Sequence, residues 1–121
     1  MGLYNFQERF VSMILDGTKM HTIRSRRARP DKPGNTLYLY SGLRHKGARL
    51  LMRAVCTKVE HIWIEDLEEE GFRITVDGFV LAPDECDCLA KADGFSSFAE
   101  MMNFWEGKLP FYGHIIHWRH P

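Results

Sequence analysis

Lys19 and Thr22 stand three residues apart in Gly17-Thr18-Lys19-Met20-His21-Thr22-Ile23-Arg24. A threonine hydroxyl is a weak nucleophile at its own pKa and needs a base beside it. A lysine desolvated in a pocket supplies one, because burial lowers its pKa. A carboxylate that orients substrate and moves protons would complete such a set. Asp93, set where a predicted helix ends before Gly94-Phe95, is the candidate, although a short carboxylate at such a corner also serves as a plain helix cap. Alone, Lys-x-x-Thr has almost no specificity, and a strand threonine beside a solvated turn lysine accounts for it better.

The residues that follow are cationic: Arg24, Arg26, Arg27, Arg29 and Lys32, then Arg44, Lys46 and Arg49. A guanidinium binds phosphate in bidentate fashion and stacks on bases. In an extended segment Arg24 and Arg26 would face one side and Arg27 the other. A basic edge can also serve only to block strand-to-strand aggregation. Residues 1–60 hold 12 Lys/Arg against 4 Asp/Glu, a net of +8, and residues 61–121 hold 4 against 12, a net of −8. Such a split hints at a nucleic-acid surface, or the halves neutralise each other across the fold. Clustering at Lys19–Lys32 and Arg44–Arg53 favours a patch and an anionic ligand, most simply a nucleic acid or nucleotide. Tyr38 and Tyr40 are candidate stacking faces, because Leu37 and Leu39 fill the other side of the same strand; Trp63 and Tyr112 are weaker candidates.

Cys86-x-Cys88 and the late histidines fit no zinc spacing. His114 and His117, three apart in a predicted strand, would point to opposite faces. Neither a metal nor another cofactor is expected. Glu65-Asp66-Leu67-Glu68-Glu69-Glu70 reads as a solvated helical turn.

The elements that must position these groups follow from periodicity and turn chemistry. Phe6, Phe10 and Ile14 recur every four residues, which predicts an amphipathic helix over 5–16 with Gly17 as its left-handed stop. Met20–Arg24 predicts a short strand, and Thr36–Ser41 a strand with one apolar face. Leu50–Ile64 predicts one long bent strand or two. Asp77-Gly78 suits a tight hairpin between Phe72–Val76 and Phe79–Ala82. Pro83-Asp84 opens a helix that Asp93-Gly94 closes. Ser97 with Glu100 makes a capping box for a second helix, with Phe98, Met101, Met102 and Trp105 as its buried face. Phe111–Trp118 is the closing strand. Short strands with peripheral helices around one core predict a mainly β, α+β fold, best met by a small antiparallel barrel.

The 121 residues fit a single domain spanning 1–121. No run of about 18 apolar residues predicts a membrane span. The first residues lack the apolar stretch of a signal peptide. Three cysteines argue against a disulfide framework. A soluble, cytoplasmic protein with reduced thiols is expected, a monomer being favoured.

Gly17-x-Lys19-x-x-Thr22-Ile23-Arg24 after an amphipathic Phe/Ile/Leu helix resembles the ASCH domain signature. The Asp93-Gly94-Phe95-Ser96 corner and the closing Phe111-x-Gly113-x-Ile115-Ile116-x-Trp118 resemble its other two landmarks, so the likeness covers nearly the whole chain. The resemblance implies a PUA-like β-barrel that binds RNA or a nucleotide in a cleft beside the first helix. On this reading Arg24, Arg26, Arg27, Arg44, Lys46 and Arg49 hold phosphates while Tyr38 or Tyr40 stacks a base. One bacterial branch is similar in a narrower way: small amidohydrolases that remove the acetyl group of N4-acetylcytidine with a lysine, a threonine and a glutamate. Lys19, Thr22 and Asp93 occupy the matching positions, with aspartate in place of glutamate. The basic insert Ser41–Arg49 resembles instead that of a phage- and bacteria-associated subgroup without a settled activity. The implied functions are therefore RNA or nucleotide binding, deacetylation of an N4-acetylcytidine-type nucleoside, or ribonuclease action.

Overall fold

A computed structural model describes residues 2–43 and 47–121. Arg44 and Lys46, two of the expected phosphate contacts, lie outside the described residues. The chain runs β1 (Gly2–Phe6), a 3-10 turn (Glu8–Phe10), α1 (Val11–Asp16), β2 (His21–Ser25), β3 (Thr36–Ser41) and β4 (Arg49–Asp66). A second 3-10 turn (Glu68–Glu70) follows, then β5 (Phe72–Val76), β6 (Phe79–Val80), α2 (Pro83–Ala92), α3 (Phe98–Trp105) and β7 (Phe111–Arg119).

The 18-residue β4 organises the sheet. Its first half pairs antiparallel with β3 and its second half with β5, while β7 lies along its centre and carries β2 on the far side. A register shift at Cys56/Lys58 marks the irregularity in the β4–β7 ladder, of the kind that re-aims a strand. The β5–β6 hairpin turns at Asp77-Gly78, both with positive φ (48° and 85°), the backbone a tight two-residue turn requires.

Three expectations are corrected here. The segment 5–16 is not one helix: Phe6 ends a strand, Phe10 closes a 3-10 turn, and only Val11–Asp16 is α-helical. Phe6, Phe10 and Ile14 are all buried, so the spacing marked core residues on three successive elements rather than one helical face. The sheet is also mixed rather than antiparallel, because β1 joins β3 in parallel register, and its ladders do not close into a barrel. The seam between β1 and β2 is spanned by side chains instead. Arg24 donates to the Asn5 carbonyl (2.6 Å) and Arg27 to that of Leu3 (2.7 Å), which supplies β1's outer carbonyls with donors where no backbone partner exists. Arg27 also lies 4.0 Å over the Tyr4 ring, and the Tyr4 hydroxyl donates to the buried Asp31. Because β2 ends at Ser25, strand alternation does not extend to Arg27, and Arg24 and Arg27 reach the same neighbour rather than opposite sides.

Ile115 and Ile116 are both buried, so β7 is covered on both faces. Trp118 meets Phe6 of β1 on one side, and Phe111 meets Trp105 of α3 on the other. This sandwiching fixes β2, hydrogen-bonded to β7, at the border between the β1 side and the helices.

Candidate functional site

Two helix ends meet at this border. At the end of α1, Gly17 takes the left-handed conformation (φ 84°), and the Lys19 amide donates back to the Met13 carbonyl (3.0 Å). The tight turn aims the Lys19 side chain inward. At the end of α2, Gly94 (φ 101°) donates to Lys91 and Phe95 donates to Ala90. This is the paired closure of a Schellman motif, and it fixes Asp93 as the C-cap, one residue past the end of α2. Gly94 is required twice over, since a Cβ there would stand 2.8 Å from the Phe10 ring.

Lys19 Nζ donates to Asp93 Oδ1 at 2.8 Å and to the Asp93 carbonyl at 2.6 Å. The ammonium therefore satisfies both the carboxylate and an orphan carbonyl at the negative end of α2. Both residues are buried, Lys19 at 2% exposure and Asp93 at 7%. Burial pushes the Lys19 pKa down against the pull of Asp93. Burial alone would raise that of Asp93, but Lys19 and His21 together hold it below the ordinary carboxylate range. An ammonium has three protons, and Asp93 takes two. The third is left for the cleft, beside the Phe10 ring 5.0 Å away.

Thr22 is buried on β2, and its Oγ1 accepts from Arg24 Nε at 3.0 Å. The hydroxyl proton is thus free to donate. Lys19, Thr22, Arg24 and Asp93 line one cavity of about 360 Å³, together with Asn5 and Gln7. Phe10, Phe95, Phe104 and Trp105 form its apolar walls, and Lys108 stands at it with its ammonium 3.7 Å over Phe104. A wider hollow of about 590 Å³ lies beside Phe72, Phe98 and Met102, but none of the expected site residues lines it.

The structure thus brings Lys19, Thr22, Asp93 and Arg24 together. Of the remaining expected contacts, those among the described residues lie elsewhere. Tyr38 and Tyr40 are half-buried on β3, outside the cavity, and Tyr38 faces the Arg53 guanidinium at 5.9 Å. Arg26 is exposed past the end of β2, Arg27 is tied to β1, and Arg49 lies 4.0 Å from Glu8. His114 and His117 do take opposite faces: His114 stacks near His61, and His117 bonds to Glu60. No group of three or more metal-ligating side chains occurs among the described residues.

Asn5, Gln7, His21 and Lys108 belong to this region and carried no sequence signal of their own. His21 was legible only as a strand residue, yet its Nε2 lies 3.2 Å from Asp93 Oδ1, at an angle that misses a well-formed hydrogen bond. Comparison with known families, curated proteins and solved structures gives no match. Among the described residues no helix is long and apolar enough to cross a membrane.

Proposed function

We propose that this chain is a PUA-like, ASCH-type domain that binds one nucleotide unit of RNA, or a free nucleoside or nucleotide, in the Lys19–Asp93 cleft. The observation that carries this reading is the lining of the cavity. Aromatic walls meet a few convergent polar groups, the composition expected of a pocket for a flat heterocycle. Phe10, Phe95 and Phe104 offer faces for a base. The third Lys19 proton, Arg24 and Lys108 offer donors to a phosphate or ribose oxygen, and Asn5 and Gln7 offer amides to a base edge. Fluorescence anisotropy with short labelled RNAs at low salt tests it. Binding that Lys19→Ala and Arg24→Ala both weaken at least tenfold is expected, and its absence from the wild type overturns the reading.

The Lys19–Asp93 pair favours a second reading, amide hydrolysis of an acylated nucleoside. A buried lysine with a lowered pKa is more readily neutral, as a base must be. Neutral Lys19 would take a proton from Thr22 or from a water that Thr22 positions. The oxygen adds to the acyl carbon, the C–N bond breaks, and the proton passes by way of Asp93 to the leaving amine. With water as the nucleophile the products are a carboxylic acid and the free nucleoside. With Thr22 as the nucleophile the acyl group first remains on its oxygen as an ester. A water, deprotonated by Lys19, then cleaves that ester to the acid and restores the hydroxyl. Cytidine release from N4-acetylcytidine, followed by chromatography, is the measurement. Turnover no greater than that of Lys19→Ala rules it out. The same two proteins incubated with RNA separate hydrolysis of an amide from cleavage of a phosphodiester.

A further inference from the structure

We infer that His21 is a positioning residue for the cleft floor: it holds the Asp93 carboxylate beside Lys19 and, once protonated, adds a positive charge there that favours an anionic ligand. The inference rests on the binding reading above and gives it a pH dependence.

His21 and Thr22 are neighbours on β2, so their side chains leave opposite faces of the strand. Thr22 enters the cleft, whereas His21 stands behind Asp93. Its Nε2 is buried, has no hydrogen-bond partner and lies 3.2 Å from the carboxylate oxygen that Lys19 holds. An unpartnered buried ring nitrogen is costly, and a small rotation toward Asp93 would satisfy it. The other groups around it are few. Asp93 faces it from the end of α2, with Lys19 beyond on the same oxygen. From β7 the His117 ring meets it edge to face, with centroids 5.2 Å apart. His117 Nε2 donates to Glu60 of β4, which also lies 3.7 Å from Lys58. Burial holds the His117 pKa down against the pull of Glu60, so that ring keeps its neutral form further into acid.

With His21 neutral, the floor consists of Lys19 and Asp93 with no net charge. With His21 protonated, Nε2–H donates to Asp93, the floor carries one positive charge, and the Lys19 ammonium is less tightly claimed. A phosphate-bearing ligand gains from this, and an uncharged nucleoside does not.

The probes are uridylyl-uridine, whose phosphodiester keeps one negative charge between pH 5.5 and 8, and uridine as the neutral control. For the wild type we expect uridylyl-uridine to bind about tenfold tighter at pH 5.5 than at pH 8, the order of one added charge several ångströms away. Uridine affinity stays level. His21→Gln retains a donor but cannot titrate. It should bind at the wild-type pH 8 level throughout, while His21→Leu binds more weakly at every pH and His114→Gln keeps the wild-type slope. A ligand-free readout runs in parallel. The Lys19 Cε resonance, assigned with Lys19→Arg, should show a pH-dependent shift in the wild type that is missing in His21→Gln. A slope retained in His21→Gln, or a Lys19 signal indifferent to that substitution, overturns the inference. If uridylyl-uridine binds at no pH, the binding reading falls and the Lys19 resonance alone decides the role of His21.

Discussion

At the scale of single residues, the Lys19–Asp93 pair sets both the chemistry and a large local energy. Either charge left alone in this cleft is an uncompensated ion, which typically costs about 3–5 kcal/mol. Lys19→Met should therefore lower stability by about 3 kcal/mol in urea unfolding, and Lys19→Met/Asp93→Asn should recover at least half of the loss. Equal losses in the single and double variants would mean that packing, not charge, is what Lys19 supplies. The pH dependence has a fixed sign. Asp93 has its folded pKa below the unfolded value of 3.8, so its contribution is complete above that value and disappears as pH falls through the folded one. Relative to Asp93→Asn, the wild type should lose its advantage as pH falls below about 4, by about 1.4 kcal/mol for each unit of depression. A constant difference over that range would show that Asp93 is not held as an anion. Asp93 was singled out by helix-end chemistry, but Lys19 and Thr22 only by the ordered signature around them, since their spacing alone favoured a solvated lysine, whereas Lys19 is buried. His21 and Lys108 were not singled out, because their roles come from what other strands and helices place beside them.

At the scale of elements, the site depends on two backbones coming closer than a side chain permits. A Cβ at Gly94 would meet Phe10 at 2.8 Å with φ at 101°, and one at Gly113 would stand 2.3 Å from the Arg24 carbonyl. Gly94→Ala strains a positive φ and drives the end of α2, with Asp93, away from Lys19. A loss of about 1–3 kcal/mol is expected from the backbone alone, with weakened binding beside it. Gly113→Ala forces β7 off β2, and no flexible side chain can yield there, so its thermal midpoint should fall further than that of Gly94→Ala. The reverse order would mean that the β2–β7 ladder can open by more than its close spacing at Gly113 implies. Most elements could be read from the chain because each had its own signal: alternation in Thr36–Ser41, Asp77-Gly78 between strands, and Ser97 with Glu100 at the start of α3, where Ser97 Oγ does accept from the Glu100 amide. The first sixteen residues could not. A spacing of four fits one helical face, and it fits equally three buried residues on a strand, a 3-10 turn and a helix. What decides is the parallel pairing of β1 with β3, thirty-five residues on, which no local pattern carries.

At the scale of the whole molecule, the question is how far the +8 and −8 halves act as opposed surfaces. In part they neutralise each other: Arg9 pairs with Glu100 at 2.7 Å, and Lys19 with Asp93 at 2.8 Å. Arg24 and Arg27 spend hydrogen bonds on β1, and Arg49 lies near Glu8. The positive half is therefore less available to a phosphate backbone than its sequence suggests. Around the cavity, Lys19, Arg24 and Lys108 are the cations placed to meet a phosphate, and the first two already have protein partners. One or two phosphates is the expected engagement. Single-stranded nucleic acid releases counterions with a slope of about −0.7 per phosphate contacted, so log K against log salt should fall with a slope of about −1 to −2. That slope should be no steeper for a ten-nucleotide RNA than for a dinucleotide, since among the described residues no further cation lines the cavity. A slope steeper than about −4 that grows with RNA length would instead mean that a strand crosses the molecule beyond the cleft. Arg26→Ala and Arg49→Ala would then lower the slope, each by about the value of one contact, and the cleft would be one station along a longer path.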